Sequence, residues 1–215
     1  MLIIDLTHCI RDGLPVYPGD DQTVLTHSRT FSADGYNNHQ LSINMHAGTH
    51  IDGPMHLLDI QQRIHEVPID QFIGDGVLLD VRHASVVDYE PSYEQMIPER
   101  SIVIVCTGHG DKFGSPEYFS GHPELTPAFA ELLIRKQVKL VGLDFPSPDR
   151  YPFQVHKMLF TNNVLIAENL ANTERLIGIG PFEVIALPLR IEADSSIARI
   201  IARTTASVPV QPSGS

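Results

Sequence analysis

The sequence predicts a mixed α/β fold with more strand than helix. Three observations support this fold class: six short apolar runs, one amphipathic segment at helical spacing, and prolines that interrupt the chain between these segments. Hydrophobic residues make up 42% of the chain and charged residues 19%, as in ordinary globular domains. The apolar runs predict strands over residues 2–6, 77–81, 101–106, 140–143, 164–167 and 182–187.

Residues 126–137 predict an amphipathic helix. Phe129, Leu132 and Leu133 recur at helical spacing, and Thr126 is suited to cap the N-terminus before a proline. The buried-strand pattern KLVGLD follows directly. The helix and this strand therefore predict an α–β step in a mixed sheet.

Residues 41–46, with the sequence LSINMH, alternate apolar and polar side chains. Alternation of this kind predicts a strand with one face on the core and the other towards a cavity or solvent. The even-numbered face would carry His46, and it continues through the ligand-type residues that follow.

The charge and length of the chain limit its function class. Fifteen Lys and Arg against 26 Asp and Glu give a formal net charge of −11, which argues against nucleic acid and anionic lipid as partners. No apolar run approaches 18 residues, and Cys9 and Cys106 are too few for a disulfide scaffold. We expect a soluble cytoplasmic protein with no membrane contact. Its 215 residues predict one domain over 1–206 and a flexible tail over 207–215.

Residues 46–56, HAGTHIDGPMH, combine the side chains that bind metals. Eleven histidines supply about 0.5 HxxxH pairs by chance, whereas the pair followed by Asp and a third His at these spacings is expected about 0.002 times. Gly48 and Gly53 disfavour a helix, and a regular strand would hold His46 and His50 about 13 Å apart. A shared metal therefore requires a bend at Gly48.

Two imidazoles and the Asp52 carboxylate suit Zn²⁺, or Mn²⁺ if further oxygen ligands join. A set of polar residues that hydrogen-bond to one another is the alternative. His109 lies in a loop directly after a predicted strand. The sequence is equally consistent with a loop of the functional site and with an ordinary loop. Cys106 is expected in the core rather than as a nucleophile. The nucleophile-elbow, phosphate-loop, CxxC and HExxH patterns are absent.

The segment HAGTHIDGPMH resembles the HxGTHxDxPxH signature of the metal-dependent cyclase/formamidase family, which includes bacterial kynurenine formamidase and isatin hydrolase. Further similar segments cover nearly the whole chain in the family order: IDLTHCIRDGLPVYPGD, HPELTPAFAELLIRKQVKLVGLDFPSPD, HKMLFTNNVLIAENL and SSIARIIA.

The resemblance implies roles for individual residues. It implies two divalent ions per subunit, Zn²⁺ or Mn²⁺, with the Asp carboxylate able to bridge them. The implied metal ligands are His46, His50, Asp52, His156 and Glu168. His56 is the implied catalytic proton donor and acceptor. Tyr17 is the implied substrate contact, at a position where formamidases commonly carry Trp.

The resemblance also implies the swivelling β/β/α architecture of the family and a homodimer or homotetramer. The implied reaction is hydrolysis of an amide or formamide C–N bond in a small molecule, as in conversion of N-formylkynurenine to kynurenine and formate. Hydrolysis of a cyclic amide or lactone, as by isatin hydrolase, is the alternative within the family. A non-catalytic metal-binding protein is a third interpretation, but it would leave His56 and the second ligand pair without a use.

Overall fold

The computed structural model describes residues 1–204, and these residues confirm the mixed, strand-rich α/β fold. The strands are β1 (Ile3–Asp5), β2 (Val24–Arg29), β3 (Asn38–Ser42), β4 (His50–Asp52), β5 (Ile73–Asp80), β6 (Val86–Val87), β7 (Ile102–Cys106), β8 (Glu124–Leu125), β9 (Leu140–Leu143), β10 (Leu165–Glu168), β11 (Phe182–Pro188) and β12 (Ser195–Thr204). The α-helices are α1 (Phe31–Asp34), α2 (Tyr93–Met96), α3 (Pro127–Arg135) and α4 (Gln154–Thr161). The predicted tail over 207–215 lies outside the described residues, and the single domain over 1–206 stays a prediction.

The main sheet closes on itself into a barrel-like shape. Its strand order is β1-β12-β11-β5-β7-β9-β10-β4, and β12 also pairs with β4. Closure is possible because β12 is long: its first residues pair with β4, and later residues pair with β1. β5, β7, β9 and β10 are parallel neighbours, whereas β10 and β4 are antiparallel.

Apolar side chains pack on both faces of the parallel strands, which explains their continuous apolar sequence. In β7, Ile102 and Ile104 face the inside of the barrel, whereas Val103 and Val105 contact the layer that contains α3 and α4. The core therefore has two parts, one on each side of the sheet. None of the helices within residues 1–204 combines the length and the hydropathy needed to cross a bilayer.

The predicted strands at 2–6, 77–81, 101–106, 140–143, 164–167 and 182–187 correspond to β1, β5, β7, β9, β10 and β11. The predicted helix is confirmed as α3, and the Thr126 hydroxyl accepts a hydrogen bond from the Phe129 amide at 3.1 Å. The helix leads into β9 as expected.

The predicted strand at 41–46 is wrong in extent and in its faces. β3 ends at Ser42, and every residue of β3 is exposed, including Leu41. The reason is that β3 pairs only with β2 in a separate two-stranded ribbon, so neither face of β3 lies on the core.

Candidate metal centre and active site

The pairing of β4 with β10 brings two predicted ligands face to face. His50 lies directly opposite Glu168, and Asp52 lies opposite Ile166. Ile51, between the two polar residues, packs into the barrel interior, so His50 and Asp52 point to the other side of the sheet. Both polar side chains are almost completely buried. The alternation of β4 thus places an imidazole and a carboxylate on one face.

A bend at Gly48 returns His46 to the same place, as the sequence predicts. Gly48 has a φ of +65°, in the left-handed region, and a Cβ there would lie 2.9 Å from a Leu14 methyl carbon. The Asn169 side chain fixes the bend by donating a hydrogen bond to the Gly48 carbonyl at 2.9 Å. As a result, Nδ1 of His46 lies 2.8 Å from Oδ1 of Asp52.

α4 supplies His156 from a distant part of the sequence. Its Nε2 lies 3.4 Å from Oε1 of Glu168. Its Nδ1 donates a hydrogen bond to Oδ1 of Asp149 at 2.5 Å, while the other Asp149 oxygen accepts the Val155 amide at 2.6 Å. Because a carboxylate only accepts, the Nδ1 proton is fixed and the Nε2 lone pair is directed at the site.

The ligand-type atoms form two overlapping groups. Donor atoms of His46, Asp52 and His56 lie within 4.8 Å of one another, and so do those of His50, Asp52 and Glu168. Asp52 belongs to both groups, so its carboxylate lies within reach of both sets of donor atoms. We define the His/carboxylate cluster as His46, His50, Asp52, His56, His156 and Glu168.

Three atoms of this cluster are placed to bind a metal ion rather than to form hydrogen bonds with one another. His50 Nε2, Asp52 Oδ1 and Glu168 Oε1 are buried and form no aligned hydrogen bond with any residue in 1–204. Yet His50 Nε2 lies 3.2 Å from the Asp52 oxygen. The Nδ1 of His50 is occupied by the Gly48 carbonyl at 2.8 Å, which leaves Nε2 as the free nitrogen. Buried polar atoms that converge without pairing match the arrangement of ligands around divalent cations.

The electrostatics of the cluster also favour positive charge. Burial disfavours a charged imidazole at His46, but Asp52 and Asp194 outweigh it and raise the pKa of His46 to about 11. Neighbouring carboxylates likewise overcome burial and raise the pKa of His50 and of His156 to about 9. In turn, the adjacent imidazoles overcome burial and hold the pKa of Asp52 well below its usual value. The site stabilises cations, whether they are protons or metal ions.

Asp194 connects the cluster to His56. Its Oδ2 accepts a hydrogen bond from His46 Nε2 at 2.9 Å and lies 3.3 Å from His56 Nδ1. Contacts with these two imidazoles lower the pKa of Asp194. The backbone carbonyl of Asp194 accepts the Gly53 amide at 3.2 Å, so the start of β12 is fixed beside the segment that leads to His56.

A cavity of about 240 Å³ opens onto this cluster. Predicted residue Tyr17 lies on its wall, edge to face with Phe119 at 5.7 Å between ring centroids. Within the described residues the wall contains no Lys or Arg. The lining residues are Tyr17, Asp20, His46, Asp52, His56, Leu57, Phe119, Pro146, Ser147, Phe153, His156, Glu168 and Asn169.

Two other candidates lie away from the cavity wall. His109 is buried, and its Nε2 donates to the Tyr118 carbonyl at 2.8 Å. The Tyr118 hydroxyl in turn donates to Asn169 at 2.7 Å, so His109 supports the site only through other residues. Cys106 is buried in β7, and burial raises the pKa of its thiol, which agrees with a core position.

Sequence reasoning missed three residues that hold the site: Asp149, Asn169 and Asp194. Asp149 follows a Pro/Ser loop seven residues before His156, and Asn169 directly follows Glu168. Their proximity to candidate ligands was the only available signal. Asp194 carried no local signal, since it lies 148 residues from its partner His46.

Comparison with known proteins agrees with this architecture. The family model described as "Putative cyclase" matches residues 4–150. The chain belongs to this cyclase family. An uncharacterized protein of Methanocaldococcus jannaschii is 32% identical over 205 residues, covering 94% of this chain and 99% of that protein.

Other cyclase-family relatives have named activities. The kynurenine formamidase of Bacillus cereus is 27% identical over 209 residues, covering 93% of this chain and 96% of that enzyme. Among solved structures, isatin hydrolase A of Labrenzia aggregata, bound to benzyl benzoate, superposes with a TM-score of 0.82 at 24% identity. This superposition covers 95% of this chain and 94% of that one, and it establishes the shared fold.

Proposed function

We propose that this cyclase-family protein is a metal-dependent hydrolase of a non-peptide C–N bond, acting on arylformamides. The convergence of buried ligand atoms that form no aligned hydrogen bond, below an aromatic-walled cavity, is the observation that carries the proposal. The full-length similarity to kynurenine formamidases supports the choice of reaction. Their name indicates N-formylkynurenine as the first substrate to test.

His46, His50, Asp52, His156 and Glu168 would hold two divalent ions, Zn²⁺ or Mn²⁺. Histidine nitrogens and carboxylate oxygens suit both metals. When bound, such ions lower the pKa of a water molecule and polarise a carbonyl oxygen. Asp149 and the Gly48 carbonyl orient the two imidazoles by accepting their Nδ1 protons.

His56 is the proposed proton carrier. It lies on the cavity wall with a partly exposed side chain, and an imidazole can both accept and donate a proton. In formamide hydrolysis water adds to the carbonyl carbon and the C–N bond breaks. His56 would accept the proton that the water loses and return it to the departing amine nitrogen. Asp194 would hold the imidazole in place for both transfers.

The cavity wall suits an aryl group. Tyr17, Phe119 and Phe153 provide aromatic surface, and Leu57 and Pro146 add aliphatic surface. Aromatic walls with a few polar groups are typical of small-molecule sites. Tyr17 is therefore the proposed substrate contact.

A homodimer or homotetramer remains part of the proposal. The β2–β3 ribbon is separate from the main sheet, and Phe31 and Tyr36, which lie between its strands, are more than half exposed. Light scattering during size-exclusion chromatography measures the assembly directly. A mass of one subunit at all concentrations would refute it.

The reaction is tested by supplying N-formylkynurenine and a neutral ring analogue, 2-formamidoacetophenone, to metal-loaded protein. Release of formate together with the arylamine is the expected result. Hydrolysis of a cyclic amide or lactone is the second candidate, favoured by the absence of Lys and Arg from the described cavity wall, since isatin carries no charge. Ring opening of isatin without any formamide turnover would select this second reaction.

A further inference from the structure

Asp20 is an acidic residue on the cavity wall with no assigned partner. It ends the turn Tyr17–Asp20, in which its amide donates to the Tyr17 carbonyl at 3.0 Å. Asp20 is half-buried, and its carboxylate forms no hydrogen bond or ion pair with any residue in 1–204. A half-buried carboxylate without a partner favours a cation beside it.

The Lys and Arg side chains that follow cavity residues in sequence contact groups other than Asp20. Arg150 follows the wall segment 146–149 in sequence, but its guanidinium pairs with Glu124 and donates to the His122 carbonyl. Lys157 follows His156, but its Nζ donates to the Pro152 carbonyl at 2.9 Å. Residues 205–215 contain no Lys or Arg. The wall, as far as the described residues form it, therefore offers a substrate carboxylate no Lys or Arg side chain.

The other acidic groups of the wall are already compensated. Asp52 and Glu168 belong to the proposed ligand set, and Asp194, behind the wall, is engaged by His46 and His56. The negative charge of Asp20 is therefore the acidic charge on the described cavity wall that has no compensating partner. Tyr17 and Phe119 lie on the same wall, and aromatic faces also attract ammonium groups.

We propose that the cavity selects arylformamides that carry an ammonium group and lack a carboxylate, and that Asp20 is the residue that determines this preference. The inference rests on the proposed arylformamide hydrolysis and specifies its substrate class. Amino-acid substrates such as N-formylkynurenine carry both groups, so the attraction of the ammonium is offset by the unpaired carboxylate.

Three substrates with the same formamidophenyl ketone core separate these contributions. N-formylkynuramine has only the ammonium, N-formylkynurenine has ammonium and carboxylate, and 2-formamidoacetophenone is neutral. We expect kcat/KM for N-formylkynuramine to exceed that of either other substrate by about 5-fold, the change that an ion pair of about 1 kcal/mol produces. A higher kcat/KM for N-formylkynurenine would overturn the proposal.

The variant Asp20→Asn removes the charge with little change of shape. It should bring the ratio of kcat/KM for N-formylkynuramine to that for the neutral ketone down about 5-fold, to near one. Asp21→Asn is the matched control, because Asp21 is exposed, adjacent and not on the cavity wall. It should leave the ratio at the wild-type value. An unchanged ratio in Asp20→Asn, or an equal fall in both variants, would overturn the role of Asp20.

Binding measurements separate failure of this inference from failure of the proposed reaction. If wild-type protein hydrolyses none of the three formamides, the proposed reaction fails. Calorimetric binding of the deformylated amines, kynuramine and kynurenine, to wild-type protein then still tests the charge preference. Binding of kynuramine about 5-fold tighter than kynurenine supports the preference. Equal or reversed affinities refute the preference. Because this measurement uses wild-type protein, it also applies if Asp20→Asn does not fold.

Discussion

Asp149 holds His156 in the state needed to bind a metal, and the variant Asp149→Asn tests this role. Both carboxylate oxygens accept hydrogen bonds, one from His156 Nδ1 at 2.5 Å and one from the Val155 amide at 2.6 Å. An asparagine keeps one acceptor and puts an NH₂ group opposite the other donor. If that donor is His156 Nδ1, the imidazole must carry its proton on Nε2, where the metal would bind.

The size of the effect follows from this loss of orientation. Replacing an outer partner of a metal-binding histidine weakens metal affinity by about 10- to 100-fold, or about 1.4–2.7 kcal/mol. The buried mispaired groups should also lower the stability of the metal-free protein by about 1–3 kcal/mol. Competition with a chromophoric chelator measures Zn²⁺ affinity, and urea unfolding measures stability. Asp59→Asn, an exposed change, is the control. Wild-type Zn²⁺ affinity together with wild-type stability in Asp149→Asn would refute the reasoning.

Four further predictions address the rest of the cluster. His56→Ala should lower kcat for an arylformamide by about 10²- to 10⁴-fold, because His56 is assigned to proton transfer. Elemental analysis should find the metal content of this variant unchanged, and loss of metal would show that His56 is a ligand instead. Asp52→Ala should lose both ions, because Asp52 is shared by the two groups of donor atoms, and full metal content would exclude the bridge. Zn²⁺ uptake at pH 7 should release up to about three protons, because the pKa of His46 is about 11 and those of His50 and His156 are about 9 without metal. Calorimetry in buffers of different ionisation heat measures this release, and binding without it would contradict these values. Raised pKa values also mean that protonation of these three histidines stabilises the metal-free fold. This contribution is complete below about pH 6.5, the ordinary pKa of histidine, and it is lost as pH rises from there through about 9 to 11. The Tm of stripped protein should therefore fall over that range, and a constant Tm would contradict the assignment.

Elements with strong local patterns could be predicted from the sequence. β7 is a continuous apolar run because both of its faces are buried, and α3 carries a cap and an apolar stripe. By contrast, β4 has only three residues, two of them polar, and its strand geometry comes from pairing with β10 and β12. Such non-local pairing leaves no periodic signal in the sequence. The extent and the faces of the ribbon strand β3 could not be predicted, because alternation does not reveal whether a core lies beneath the apolar face.

The same distinction applies to the site. His46, His50, Asp52 and His56 lie within 11 residues, so their spacing revealed the candidate ligands, and Gly48 revealed the bend. Their orienting partners come from other elements that meet only when the barrel closes. Asp194 reaches His46 because β12 pairs with β4, a contact that no local pattern encodes.

Activity as a function of bound metal tests the central claim most directly. Protein stripped with a chelator would be reloaded with Zn²⁺ or Mn²⁺ in steps, and bound ions would be counted by elemental analysis. Hydrolysis of N-formylkynuramine and 2-formamidoacetophenone would be followed by arylamine absorbance. We predict no turnover in stripped protein and a rise in activity to a plateau at about two ions per chain. Full activity without metal, or two bound ions without hydrolysis of any C–N substrate, would contradict the account.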